Sequence, residues 1–247
     1  MRRALVTGAG AADGIGFATA RLLAMGGHRL AIAATTARIH DRADELRALG
    51  AEVTAHVADL TEPDQVDRLA KSVGPVDVLV NNAGMGTVNA LALQKPFLDL
   101  THAEWLRQMD VTLTTAALVS RAFLPAMVAK GWGRVVMVSS VTGPVVSNPG
   151  DSAYSAAKAG MVGLTRALAL ELAAQGVTVN AVAPGWIATG ASTEAELQAA
   201  RATPPGRAGT PDEVAAIIAF LASDGAAYVN GATIVVDGGN CLVEKKG

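Results

Sequence analysis

The sequence predicts one α/β domain built on a doubly wound parallel sheet of seven strands, with helices on both faces. Three observations carry this reading. Short apolar runs recur along the chain and alternate with segments of helical period, the pattern of parallel strands buried on both faces. Every unusual polar or glycine cluster lies just beyond the carboxyl end of such a run, where open α/β sheets hold their ligands. The 247 residues are 51% apolar but only 4% aromatic, so the core is made of Ala, Val, Leu and Ile, which lets helices pack closely on a sheet.

The elements follow in order. "ALVTG" is the first strand, and Ile15, Ala18, Leu22 and Leu23 mark a helix from 15 to about 25. "RLAIAA" is the second strand, followed by a helix over 41–49. "EVTAHVADL" and "VDVLVNNAG" are strands separated by a helix that Pro63 opens, Pro being suited to the first helical turn. A long helix over about 101–129, the strand "GRVVMVSS", a helix over about 152–174, the strand "VTVNAVAPG", a helix opened by "TPDE" and a last strand "ATIVVDGG" complete the chain. Irregular stretches longer than ordinary loops remain at about 85–100, 141–151 and 185–209, and loops of that length are usually functional.

Charge and cysteine content narrow the function. The net charge is -2 with both signs interspersed, so neither nucleic acid nor an anionic membrane is an expected partner. The apolar run after "MRR" reaches glycine within five residues, too short for a signal peptide. No stretch reads as the roughly twenty apolar residues of a membrane span. Cys241 is the one cysteine, which excludes an internal disulfide, and without His or Cys neighbours it makes no metal site. A cytoplasmic protein without metal is expected.

The strongest chemical signal is "YSAAK". Tyr154 and Lys158 are four residues apart on a helix and share a face, and Ser140 ends the preceding strand. A nearby ammonium favours tyrosinate, so Tyr154 is a candidate general acid/base with its phenol drawn toward neutral pH. Ser140 is placed to donate to a substrate oxygen as charge develops there. Alone, such a Tyr/Lys spacing is more often a surface pair; here it stands among further motifs.

Those motifs are "TG…GIG" after the first strand, "NNAG" after the fourth, Ser140, "YSAAK", and "PG" after the sixth strand. Together with the closing "GRAGTPDEVAAIIAFLASDGAAYVNGATIVVDGG", they resemble the short-chain dehydrogenase/reductase family of about 250 residues, especially its 3-oxoacyl-carrier-protein reductase branch. The resemblance covers essentially the whole chain. It implies a Rossmann-type fold and hydride transfer between a nicotinamide and the carbon of a ketone or secondary alcohol. Tyr154 would then pass the proton, Lys158 would lower the Tyr pKa and hold the nicotinamide ribose, and Ser140 would orient the carbonyl. Asp59 and Leu60 would flank the adenine, and Asn82, Ala83 and Gly84 would line the cofactor's centre. Pro184, Gly185, Ile187 and Thr189 would lie along the nicotinamide. The family usually carries an asparagine where this chain has Thr112. That asparagine supports a backbone kink and the proton relay behind the lysine, and catalysis is expected to survive the change. A homotetramer is implied as well, through the long helix around 113–128 and the last strand.

In "TGAGAADGIG" the spacing departs from the family pattern of Thr-Gly, three residues, Gly, one residue, Gly. Either two residues are inserted between Thr7-Gly8 and Gly14-Ile15-Gly16, or Gly10, Gly14 and Gly16 are the working glycines, with Ala9 in the Thr place. The insertion is favoured, because Thr7 and Gly8 end a strand and Gly14 to Gly16 open a helix whose amides face a pyrophosphate. The same stretch bears on cofactor choice. No acid ends the second strand to exclude a 2′-phosphate, while Thr35, Thr36 and Arg38 are able to bind one, so NADP(H) is favoured over NAD(H). Asp13 is the counter-evidence, since NADP-dependent relatives often carry a basic residue just there. Extra loop residues are expected to swing Asp13 away.

Met85, Val88, Leu91, Val145, Val146 and Trp186 are the candidates to line an apolar substrate pocket. No Arg or Lys obviously faces a substrate anion, and Gly131 and Gln175 stand near positions where the carrier-protein branch is basic. A free ketone or alcohol of modest size is therefore preferred to an acyl-carrier thioester. A non-catalytic cofactor-binding protein on the same fold is the alternative of another class.

Overall fold

A computed structural model of the chain describes residues 1–84 and 93–244. Seven parallel strands form one sheet: β1 (Arg3–Thr7), β2 (Arg29–Ala34), β3 (Val53–Val57), β4 (Val78–Asn81), β5 (Gly133–Val138), β6 (Val177–Pro184) and β7 (Thr233–Val236). Their order across the sheet is β3-β2-β1-β4-β5-β6-β7. The helices are α1 (Ile15–Met25), α2 (Arg38–Ala48), α3 (Pro63–Val73), α4 (His102–Met109), α5 (Thr115–Lys130), α6 (Ser152–Leu172), α7 (Glu194–Ala200) and α8 (Pro211–Leu221). The doubly wound sheet expected from the alternation is the one found. β1 lies at the point where the order reverses, and the crevice there is where such sheets bind ligands.

Successive residues of each central strand feed opposite layers. Ala4 and Val6 of β1 pack with Phe17, Ile39 and Ile218 of α1, α2 and α8. Leu5 between them packs with Val66, Phe123 and Met161 of α3, α5 and α6. This is why the strands read as unbroken apolar runs rather than as alternating ones.

Three features differ from the sequence reading. Helix α2 begins at Arg38 rather than at 41, so Arg38 belongs to a helical turn. The stretch 185–209 contains α7, which Thr193 and Glu196 start with a reciprocal capping box. The long helix is interrupted by a π-turn, Asp110–Thr114, between α4 and α5. With that turn included, His102–Lys130 is one continuous helical stretch, long and apolar enough by length and composition to cross a membrane, against the expectation that no stretch would be. Its Ala116, Val119, Phe123 and Met127 are instead packed in the core under α3 and α6. A helix sandwiched between a sheet and its neighbours needs the same apolarity as a membrane span.

Candidate active site

The turn after β1 is built for close approach. Gly8 has φ +68°, and a Cβ added to it would fall 2.8 Å from Asn82 Nδ2 and 2.9 Å from the Ala83 backbone. On Gly16 an added Cβ would fall 2.5 Å from the Gly8 carbonyl oxygen. Only hydrogen fits at these two contacts, so strand end, helix start and β4 turn meet backbone to backbone. Gly14 precedes α1 as its N-cap, with no side chain capping the helix and no acid in its first turn. Uncapped amides at a helix start form an anion seat, and a dinucleotide's diphosphate fits it by charge and by the space the glycines leave. Thr7 and Gly8 thus end the strand and Gly14 to Gly16 open the helix, as the insertion reading requires. The loop residues Ala11 to Asp13 are exposed and turn back through a Gly14 N–H to Ala11 carbonyl bond of 3.2 Å.

Thr7 joins this turn to the next strand. Its Oγ1 accepts from the amides of Asn82 (3.0 Å) and Ala83 (3.1 Å). Asn82 Nδ2 donates to the carbonyls of Thr7 (3.1 Å) and Gly8 (3.0 Å). Asn82 therefore fixes the glycine turn with its side chain, leaving Ala83 and Gly84 to border the crevice.

Ser140, Tyr154 and Lys158 come together, Tyr154 and Lys158 as their spacing implies and Ser140 as the resemblance implies. The Ser140 and Tyr154 hydroxyls are hydrogen-bonded, and Ser140 Oγ also accepts from the Thr142 amide at 3.0 Å. Lys158 is 4% exposed, its Nζ donates to the Val138 carbonyl at 2.8 Å, and it lies 5.6 Å from the centre of the Tyr154 ring. Ser139, next to Ser140, donates to the Lys158 carbonyl at 2.9 Å and so ties the end of β5 to α6. The electrostatics correct the sequence expectation. Burial pushes the Tyr154 phenol up to about 12, the Ser140 hydrogen bond opposes this, and the carboxylates of Asp151 and Glu196 add to the rise. Burial likewise brings Lys158 down to about 8. Desolvation favours the neutral form of both groups, and it outweighs the attraction that the spacing alone suggested.

Thr112 is fully buried within the π-turn. The backbone kink is therefore present with threonine in the asparagine's place. The hydroxyl donates to the Gly84 carbonyl at 2.8 Å and accepts from Gln108 Nε2 at 3.0 Å.

Beyond the carboxyl end of β2, Thr35 and Arg38 are exposed and Thr36 partly so, with Arg38 Nε 3.5 Å from Thr36 Oγ1. Gly10 lies beside the end of β2, an added Cβ falling 3.0 Å from Ala34 Cβ. Asp13 faces the other way: its carboxylate would be 2.4 Å from a Cβ on Gly190, in the loop after β6. Asp59 Oδ1 accepts from the Thr61 amide and hydroxyl at 3.0 and 2.7 Å, an Asx turn at the mouth of the crevice. The Leu60 side chain, 4% exposed, belongs to the core layer under α3, so only its backbone is left to meet an adenine. Beyond β6, Gly185 donates its amide to Val236 at 3.0 Å, and Ile187 bridges to Gly209. The Thr189 amide donates to Ser192 Oγ at 3.0 Å, and Ser192 donates to the Ile187 carbonyl at 2.9 Å.

Comparison with known proteins agrees with this arrangement. Residues 8–240 match the family described as Enoyl-(Acyl carrier protein) reductase. The chain is 44% identical to the cis-4-hydroxycyclohexanecarboxylate dehydrogenase of Sinomonas cyclohexanicum, over 98% of this chain and 97% of that one. It is 42% identical to the 3-oxoacyl-[acyl-carrier-protein] reductase of Synechocystis sp., over 96% and 95%. The crystal structure of levodione reductase superposes with a TM-score of 0.90 at 32% identity, covering 98% of each chain. The chain is a short-chain dehydrogenase/reductase.

Members of this oxidoreductase family use NAD(P)(H). In this short-chain dehydrogenase/reductase the apolar residues expected around the substrate are only partly placed. Met85, Val88 and Leu91 lie outside the described residues. Val145 is half-exposed, and Val146 and Trp186 are partly buried, in the loops after β5 and β6. The sequence reading missed Ser139, Gln108 and Ser192, because each acts through a neighbour's backbone or hydroxyl and none belongs to a motif. It missed Asp151 and Glu196 as well: Asp151 stands at the start of α6, just before Tyr154, and Glu196 comes from α7.

Proposed function

We propose that the chain is an NADP(H)-dependent oxidoreductase of a free ketone or secondary alcohol of modest size, with Tyr154 as general acid/base. The observation that carries this reading is the convergence of Ser140, Tyr154 and Lys158 beside a turn suited to a diphosphate. When bound, the nicotinamide supplies or takes up the hydride at the carbon bearing the reacting oxygen. In reduction Tyr154 donates its proton to that oxygen while Ser140 donates a hydrogen bond to it. A phenol at about 12 keeps its proton until alkoxide character develops, which suits an acid. Lys158 faces the tyrosinate left behind and stabilises it while it still holds its own proton, below about 8. Thr112 stands behind the cofactor turn, and Asn82, Ala83, Gly84, Pro184, Gly185, Ile187 and Thr189 border the dinucleotide. Tyr154→Phe tests this: turnover should fall about 10³-fold, within the usual range for a lost acid/base, with cofactor still bound in a fluorescence titration. Unchanged turnover would remove Tyr154 from the role, and a wild type without turnover on ketones and alcohols would favour a binding protein.

NADP(H) is supported by Thr35, Thr36 and Arg38 at the end of β2 and by the direction of Asp13, whose carboxylate faces Gly190. A ratio of kcat/KM for NADPH over NADH above one is expected, and a strong NADH preference would reverse the assignment. Reduction of the 3-oxo group of an acyl chain on a carrier protein or on CoA is the second reading, favoured by the Synechocystis relative, its carrier-protein form opposed by Gly131 and Gln175 near positions where that branch is basic. We place the protein in the cytoplasm as a homotetramer that binds neither nucleic acid nor membrane. An apolar groove between α5 and α6, lined by Leu124, Val128, Leu164 and Leu168, supports the assembly. Light scattering measures it.

A further inference from the structure

The π-turn is wedged between the cofactor turn and the helix of Tyr154 and Lys158. On one side Gly84, with φ +144°, lies so close that an added Cβ would be 3.2 Å from Thr112 Cα and 3.3 Å from the Val111 carbonyl oxygen. On the other side Leu113 fills a notch at Gly160, where an added Cβ would fall 2.7 Å from Leu113 Cδ2. Gly160 is two residues beyond Lys158 on α6. The spacing between the two halves of the site therefore passes through this one turn of helix.

Thr112 holds the turn to Gly84 with a single hydroxyl hydrogen. A buried threonine in a helix has a competing acceptor, the carbonyl one turn earlier, and a hydroxyl that rotates to it releases its other partner. Thr165 does this in α6, donating to the Met161 carbonyl at 2.8 Å. Thr112, in the π-turn, does not, and its oxygen also accepts from Gln108. That side chain, 6% exposed, places its Nε2 hydrogen on Thr112 Oγ1 at 3.0 Å. With a lone pair so occupied, the hydroxyl keeps its hydrogen on Gly84.

We propose that Gln108 is a positioning residue: by donating to Thr112 Oγ1 it commits that hydroxyl to the Gly84 carbonyl, and so sets the distance between the Asn82–Gly84 turn and the Tyr154–Lys158 helix. The inference rests on the oxidoreductase reading above. Gln108 touches neither cofactor nor substrate and acts only through Thr112.

The test compares Gln108→Leu, Thr112→Val and the double variant on whichever ketone the wild type reduces. Gln108→Leu should lower kcat roughly tenfold, the scale of a sub-ångström misplacement, with the cofactor Kd within about threefold of wild type. The primary isotope effect with 4-deuterated cofactor should rise as hydride transfer becomes limiting. The double variant should be no slower than Thr112→Val alone, because both changes remove the same hydroxyl contact. Thr112→Ser, which keeps the hydroxyl, should lose less than Thr112→Val. A lowered Tm with unchanged kcat and isotope effect would make Gln108 merely structural, and losses that multiply in the double variant would show that it does not act through Thr112. Either result overturns the proposal. If Gln108→Leu does not fold, Gln108→Met carries the same comparison. A wild type that reduces nothing fails the oxidoreductase reading, and hydrogen exchange then decides the clamp separately. Exchange at the amides of Asn82, Ala83 and Gly84 should be several-fold faster in the Gln108 variant, and equal rates would overturn it.

Discussion

Helices α1 and α8 pack against the same face of the sheet and start in opposite ways. At α8, Thr210 accepts from the Glu213 amide at 3.3 Å, and Glu213 accepts from the Thr210 amide at 2.7 Å. Arg207 then pairs with both Glu213 oxygens at 2.9 and 2.7 Å. Asp212, also in the first turn, pairs with Arg21 of α1 at 2.5 Å. Both acids of that turn are paired and the Glu213 amide is capped within the chain. Helix α1 opens on Gly14 with neither a capping side chain nor an acid. Of two helices of equal length, 11 residues each, one closes its own amides and the other leaves them for an anion. A capping box thus marks a start that serves the fold, and its absence beside close-packed glycines marks one that serves a ligand.

The comparison can be broken most severely at Gly16. Gly16→Val puts side-chain atoms onto the Gly8 carbonyl, a backbone atom that cannot swing aside, and should weaken cofactor binding by roughly 100-fold or more in a fluorescence titration. Binding within a few-fold of wild type would mean that the cofactor does not lie on α1. Gly14→Asp is a smaller and sharper change. Gly14 has φ -92° and ψ 157°, which an aspartate adopts freely. The new carboxylate would cap α1 from within and repel a diphosphate. Affinity should fall about tenfold while Tm holds or rises, the reverse of ordinary damage. At α8 the outcome inverts: Thr210→Ala should cost about 1 kcal/mol in denaturant unfolding and leave cofactor affinity unchanged. The smallest effect is with pH. Hydrogen bonds from Arg207 and Thr210 bring the Glu213 carboxyl down to about 2 from its ordinary 4.5. Its contribution is therefore complete above about 4.5 and is lost as pH falls through about 2, and Glu213→Gln should remove that part of the acid unfolding curve.

Legibility follows the range of the interaction. α8 was readable because Thr210, Pro211 and Glu213 signal a helix start within four positions. The Tyr154/Lys158 pair was readable because helical period puts the two on one face. In contrast, α7 carries the same Thr-x-x-Glu signal at Thr193 and Glu196, yet the sequence shows no helical period there, because 7 residues hold too few apolar positions. The Leu60 side chain lies in the core under α3, a burial that its sequence neighbours do not reveal. The phenol of Tyr154 was expected to be lowered and is raised. Spacing reports the lysine's proximity, whereas desolvation depends on everything packed around both groups.

By itself the sequence determined the strands, their parallel sense, and the shared helix face of Tyr154 and Lys158. These follow from local period and from the handedness of crossovers, which leave few alternatives. Only the tertiary structure decided that Asp13 faces Gly190, that burial favours the neutral forms of Tyr154 and Lys158, and that Gln108 reaches Gly84 through Thr112. Each depends on which segments share a boundary once the sheet is wound, and on how much water that packing removes.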